Sequence, residues 1–86
     1  MTEQEAKLKI TAGLSQIYGV KEGIRMTGTV VAGIMDDFNQ MVRNKPYESV
    51  QEEYRLEDGR ATVFISGKIL KNGSVSYESI QITKPL

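Results

Sequence analysis

Residues 50–83 read VQEEYRLEDGRATVFISGKILKNGSVSYESIQIT, and two dipeptides, Asp58-Gly59 and Asn72-Gly73, cut this stretch into three alternating runs. Asp-Gly and Asn-Gly between alternating segments signal tight hairpins, because a type I′ turn needs positive φ at both central residues. With Asn72-Gly73 as a two-residue turn, Leu70 faces Val75, Lys68 faces Tyr77, Ile65 faces Ile80 and Val63 faces Ile82. With Asp58-Gly59 treated likewise, Leu56 faces Ala61, Tyr54 faces Val63, Glu52 faces Ile65 and Val50 faces Gly67.

Side chains alternate across a strand, so a register assigns each residue to a face. Both turns put Val50, Tyr54, Leu56, Ala61, Val63, Ile65, Ile69, Ile80 and Ile82 on one side. Gln51, Glu53, Arg55, Thr62, Ser66, Lys68, Ser79, Gln81 and Thr83 fall on the other, with Phe64 and Tyr77 among them. A three-residue loop with a bulge after Asn72 would carry Ile80 and Ile82 across the sheet and break this segregation, so the tight turn is preferred. One apolar and one wet face is the mark of an antiparallel meander.

Upstream, Val30, Val31, Ile34, Met35, Phe38, Met41 and Val42 recur at helical spacing, with Asp36, Asp37, Asn39, Gln40 and Arg43 opposite. Thr27 or Thr29 suits the start and Asn44, ahead of Lys45-Pro46, the stop. Gly33 inside this helix costs about 1 kcal/mol relative to Ala, unless a strand packs closely there. The stretch from Glu3 to Tyr18 is read as a helix, since Thr2-x-x-Glu5 is a capping box and Gly19 a stop. The alternation of Ala6, Leu8, Ile10 and Ala12 leaves a strand as the competing reading. Residues 23–28 read as a loop or a short strand, which would be the fourth. The expectation is one α+β domain over residues 1–86: one or two helices (about 1–45) on one face of a three- or four-stranded antiparallel meander (about 48–84).

Composition narrows the functions. The chain has no Cys and no His, which removes thiol nucleophiles, disulfides and the usual general base. Eleven basic and eleven acidic residues cancel, so the bulk basic excess of a nucleic-acid binder is missing. No apolar run approaches the roughly 20 residues of a membrane span. A cytoplasmic protein, not an enzyme, with no cofactor, metal, nucleic acid or membrane partner, is the expectation. The glycines at 13, 19, 23, 28 and 33 match no phosphate-loop spacing and read as turns and close packing.

Three features remain for function. Glu52 and Glu78 fall on the apolar face, where a carboxylate can serve as an acid or base; the plainer reading has each bending past the helix into water. Phe64 and Tyr77 on the polar face, with Arg55 and Lys68 beside them, form a candidate platform for a partner or a planar ligand such as a nucleotide. The plainer readings make Phe64 core under the first helix, or part of a self-association surface. The last strand, with Val75 and Ile80, carries a single charge between Ser74 and Thr83 and no Pro until Pro85. An edge so thinly guarded suggests pairing with a partner strand, unless residues 23–31 cover it. The favoured expectation is a binding or assembly module acting by protein–protein contact, and a homo-oligomer. A winged-helix-like nucleic-acid binder is the alternative, disfavoured because neither helix is basic.

Overall fold

The computed structural model describes residues 1–85. It runs α1 (Glu3–Tyr18), α2 (Val20–Met26), a π-helical turn (Thr27–Val31), α3 (Ala32–Arg43), β1 (Val50–Arg55), β2 (Thr62–Ile69) and β3 (Val75–Thr83). The strands form one antiparallel sheet in the order β1-β2-β3. The α+β meander expected from the sequence is what forms, with three strands and no fourth among the described residues.

α1 begins as its sequence implies. The Thr2 hydroxyl accepts from the Glu5 N–H at 3.2 Å, and the Glu5 carboxylate accepts from the Thr2 N–H at 3.1 Å, which satisfies two otherwise orphaned donors. Gly19 ends the helix at φ 95°. Ala6, Ile10 and Leu14, one helical face, are buried.

The segment read as a loop or strand is instead helical from Val20 through Arg43. Gly23 is no helix breaker here: a Cβ on it would collide with Ser15 Oγ and lie 2.9 Å from Ser15 Cα. The missing side chain lets α2 press against α1 after the reversal at Gly19. Nor does Thr27 cap a new helix. Its hydroxyl donates to the Gly23 carbonyl at 3.3 Å and meets the Thr11 hydroxyl at 3.2 Å. A threonine that bonds back to the carbonyl four residues earlier competes with the backbone ladder, and the helix widens into its π turn there. No strand packs on Gly33, where a Cβ would meet nothing within 4 Å.

Both turns reverse the chain where expected, by a different geometry. The Gly59 N–H donates to the Leu56 carbonyl, and the Gly73 N–H to the Leu70 carbonyl, each at 2.9 Å. Gly59 and Gly73 hold φ of 72° and 88°, while Asp58 and Asn72 are not at positive φ. The turns are therefore not type I′. The aspartate and asparagine use their side-chain oxygens instead, accepting from the N–H of Arg60 and of Ser74 at 3.0 Å.

In the first hairpin the expected register survives: Tyr54 pairs with Val63, Glu52 with Ile65 and Val50 with Gly67. In the second, the loop holds three residues. Leu70 bonds to Ser74 at 2.8 Å, and Ile69 pairs with Val75, Lys68 with Ser76 and Gly67 with Tyr77. The pairing there is one residue out of the expected register. A β-bulge at Glu78 restores it, so that Ser66 pairs with Ser79, Ile65 with Ile80 and Val63 with Ile82. Between loop and bulge every β3 side chain changes face. Tyr77 moves from the expected polar face into the core, 1% exposed, and packs on Phe38 with ring centroids 5.8 Å apart. Its hydroxyl donates to Asn39. Glu78 leaves the apolar face for solvent, where it accepts from the Ser49 hydroxyl at 2.9 Å.

Both helical layers lie on the same side of the sheet. α3 covers β1 and β2 through Met35, Phe38 and Val42; α1 covers β3, with Gly13 directly over Ile82. The other side of the sheet is left bare.

Candidate functional site

On the bare face, Phe64 is 38% exposed, beside Glu53, Gln81 and the hydrogen-bonded pair Ser66–Ser79, whose hydroxyls lie 2.6 Å apart. Helix α1 does not cover it, so Phe64 is not core under the first helix. Tyr77 is absent from this face and joins no platform with Phe64. Arg55 and Lys68 do lie there, exposed, near opposite ends of the sheet. A single half-exposed ring offers one stacking surface, not two.

Ile80, expected to be a contact residue at the edge, is buried at 8% exposure, and Val75 is half-buried. Both belong to the packing under the helices. Glu52 and Glu78 do not converge: Glu52 is half-buried opposite Ile65, and Glu78 sits exposed at the bulge. No acid–base pair is formed. Among the described residues no group of three or more Asp or Glu is arranged to hold a metal ion, and no helix is long and apolar enough to cross a membrane.

Among the described residues, the outer edge of β3 has no strand beside it. At Tyr77 the chain's own Met1 occupies it: the Met1 nitrogen donates to the Tyr77 carbonyl at 2.6 Å, and the Tyr77 N–H to the Met1 carbonyl at 3.1 Å. The bulge at Glu78 follows at once. Met1 and the bulge thus guard the half of the edge nearest the turn, and the stretch 80–83 remains. Beside it, Lys9, Ala12, Gly13 and Gln16 of α1 line a shallow trough of about 270 Å³ with Ile80 and Ile82.

A further concavity is one that no sequence pattern indicates. It is a groove of about 720 Å³ at the far end of the molecule, between the π turn with the start of α3 and the β1–β2 turn. Met26, Val30, Ile34 and Leu56 give it an apolar floor, and Asp37, Glu57 and Asp58 stand around it. Two tyrosines fix the walls. Tyr54 donates to Asp37 at 2.7 Å and Tyr18 to Asp58 at 2.7 Å. Burial and the facing aspartate push the Tyr54 hydroxyl pKa up, and that of Tyr18 up to about 12, so both stay protonated donors. The Arg60 N–H and the Tyr18 hydroxyl hold the Asp58 carboxyl below its ordinary value. The Arg60 guanidinium lies 4.6 Å from the centre of the Tyr18 ring and donates to the Ile17 carbonyl at 3.2 Å. These contacts moor the β1–β2 turn to the end of α1. No periodicity announces such a groove, because its walls come from segments tens of residues apart.

Comparison of the chain with protein-family models, with curated proteins and with solved structures finds no match.

Proposed function

We propose that this protein is a small assembly module that pairs the free part of its β3 edge with the same edge of a second copy. The observation carrying this reading is the run Ile80–Thr83: an outer-strand segment with no charge, no proline and, among the described residues, no strand alongside. Such an edge is a template for further strand pairing unless something covers it. A two-fold axis near Gln81 would join two antiparallel sheets into one. It would also bring the two α1 helices together over the trough, where Ala12 and Gly13 allow close approach. The reading requires no catalytic group, in keeping with a chain that has no His or Cys, and the same composition fits the cytoplasmic location expected for it. A ligand stacked between Phe64 and Tyr77 is disfavoured, since Tyr77 is in the core.

Light scattering coupled to size exclusion, over about a hundredfold range of concentration, tests the proposal by mass action. The expected result is a concentration-dependent dimer that Gln81→Lys dissociates. Gln81 is exposed on the wet face, so the substitution opposes like charges across the axis and leaves the melting temperature of the dilute monomer unchanged. A strict monomer at every concentration overturns the proposal. So does a dimer indifferent to Gln81→Lys but dissociated by Phe64→Ser, which would put the interface on the sheet face.

A further inference from the structure

The groove at the β1–β2 turn has a property that the protein's own packing does not explain. Gly33 lines it from within α3, is exposed, and adopts no positive φ. A Cβ there would meet nothing within 4 Å. Contrast Gly23 and Gly67, where a Cβ would collide with Ser15 and with the Ser76 carbonyl. Glycine in a helix interior is unfavourable, and at position 33 neither a turn nor an intramolecular contact asks for it. Gly28 in the π turn is equally free of contacts, but of the two only Gly33 lines the groove, where its bare backbone leaves the wall open to a chain entering from outside. A π turn, a distortion frequent at functional sites, supplies Thr29 and Val30 to the same wall.

The charge around the groove selects the occupant. Carboxylates stand on two different elements, Asp37 on α3 and Glu57 with Asp58 on the β1–β2 turn. Arg55 is the one basic residue among the described residues that line it, and its strand position, next to Tyr54 and opposite Thr62, belongs to the other face of the sheet. Arg25 and Arg60 line an adjoining depression that shares Asp58 and Tyr18 with the groove, so the acidic walls are Asp37 and Glu57. An apolar floor between these two complements a bulky apolar side chain flanked by cations. We propose that the groove binds a short segment of a partner protein in which one large apolar residue is flanked by Lys or Arg, its main chain lying against the bare helix at Gly33. This surface is separate from the β3 edge and does not depend on pairing there.

Two synthetic octapeptides serve as probes, each with Leu and Phe at the centre, one flanked by Lys and the other by Glu. Titration is followed by the amide resonances of the ¹⁵N-labelled protein. The Lys peptide is expected to shift Val30, Gly33 and Leu56 saturably, and more weakly as salt is raised; the Glu peptide is expected to leave them in place. Asp37→Asn and Glu57→Gln should each weaken binding about two- to five-fold, the range of an exposed charge pair. Gly33→Ala, whose Cβ would meet nothing within 4 Å, should raise the melting temperature, and Gly33→Leu, which carries the side chain into the groove, should weaken binding about tenfold or more. Equal binding of the two peptides overturns the proposal, as does full affinity in Gly33→Leu. Groove resonances that shift with protein concentration alone would make a second copy the occupant and overturn it too.

Discussion

Deletion of Glu78 discriminates between two ways of threading the same apolar residues through β3. In the structure, Glu78 is the extra residue of a bulge: Gly67 pairs with Tyr77 and Ser66 with Ser79. Removing it leaves Val-Ser-Tyr-Ser-Ile-Gln-Ile, a strict alternation in which Val75, Tyr77, Ile80 and Ile82 all keep their inward positions. The deletion takes away the exposed hydrogen bond from Ser49 to Glu78, about 0.5–1 kcal/mol, offset in part by a regular ladder. The expected change in unfolding free energy is within about 1 kcal/mol. Had β3 followed a two-residue turn without a bulge, the same deletion would throw Ile80 and Ile82 onto the wet face. Exposing those two side chains would cost about 3–5 kcal/mol, a large share of the roughly 5–15 kcal/mol typical of a domain. Urea unfolding monitored by circular dichroism separates the outcomes, the smaller corresponding to a shift of no more than about 8 °C in melting temperature. A destabilisation above about 3 kcal/mol refutes the bulged register. The deletion also removes one of the two guards on the β3 edge, so stronger self-association should accompany it if that edge is the interface.

Three further outcomes are expected. Gly67→Ala should destabilise by about 2 kcal/mol or more, because the new Cβ would lie 2.5 Å from the Ser76 carbonyl, backbone that cannot yield; near-neutral thermal unfolding would contradict the close approach. Tyr47, 71% exposed, holds φ of 68°, a left-handed conformation that Asn tolerates better, so Tyr47→Asn should gain about 1 kcal/mol in denaturant titration; a decrease would mean the ring makes contacts that matter. Asp58 has a folded-state pKa below its ordinary value of 3.8, owing first to the Arg60 N–H and then to Tyr18. Its stabilisation is therefore complete above that ordinary value and disappears as pH falls through the depressed one. Thermal melts of the native protein and of Asp58→Asn between about pH 6 and pH 2 should show a steeper acid destabilisation in the native protein; parallel curves would count against the Asp58 contacts.

Features carried by local periodicity were legible in the sequence. The capping box at Thr2 and Glu5, the stripe from Val30 to Val42 and the faces of β1 and β2 each depend on residues a few positions apart. The bulge at Glu78 was not legible for a specific reason. A three-residue loop and a one-residue bulge cancel, so Ile80 and Ile82 face inward with or without both, and only Val75, Ser76, Tyr77 and Glu78 differ. Tyr77 suits either face, having an apolar ring and a polar tip, and gave no warning. Of the glycines read as turns and close packing, Gly19 is a turn and Gly13 and Gly23 are close contacts, but the loop or strand expected over residues 23–28 is not there. Gly23 and Gly28 bound that segment, yet the helix continues through both. The groove depends on Tyr18, Asp37, Tyr54 and Asp58 meeting in space, a matter of tertiary placement. Of the anticipated contact residues, Phe64, Arg55 and Lys68 remain on an open surface, whereas Tyr77 and Ile80 are core.

The placement of α1 over β3 has a bearing on the order in which the molecule can assemble. β1 pairs with β2 and β2 with β3 through short loops, and α1 meets α2 across the reversal at Gly19, so these units can form from nearby chain. Ala6, Ile10 and Leu14 share one core with Met26 and Val31 from nearby chain, but that core is not complete without β3. Their cover includes Tyr77 and Ile80, more than sixty residues downstream. On a ribosome, α1 would keep part of its apolar stripe uncovered until β3 emerged. Joining sequence-distant elements is the slow, entropically costly kind of contact, so docking of α1 on β3 is the natural closing step of folding.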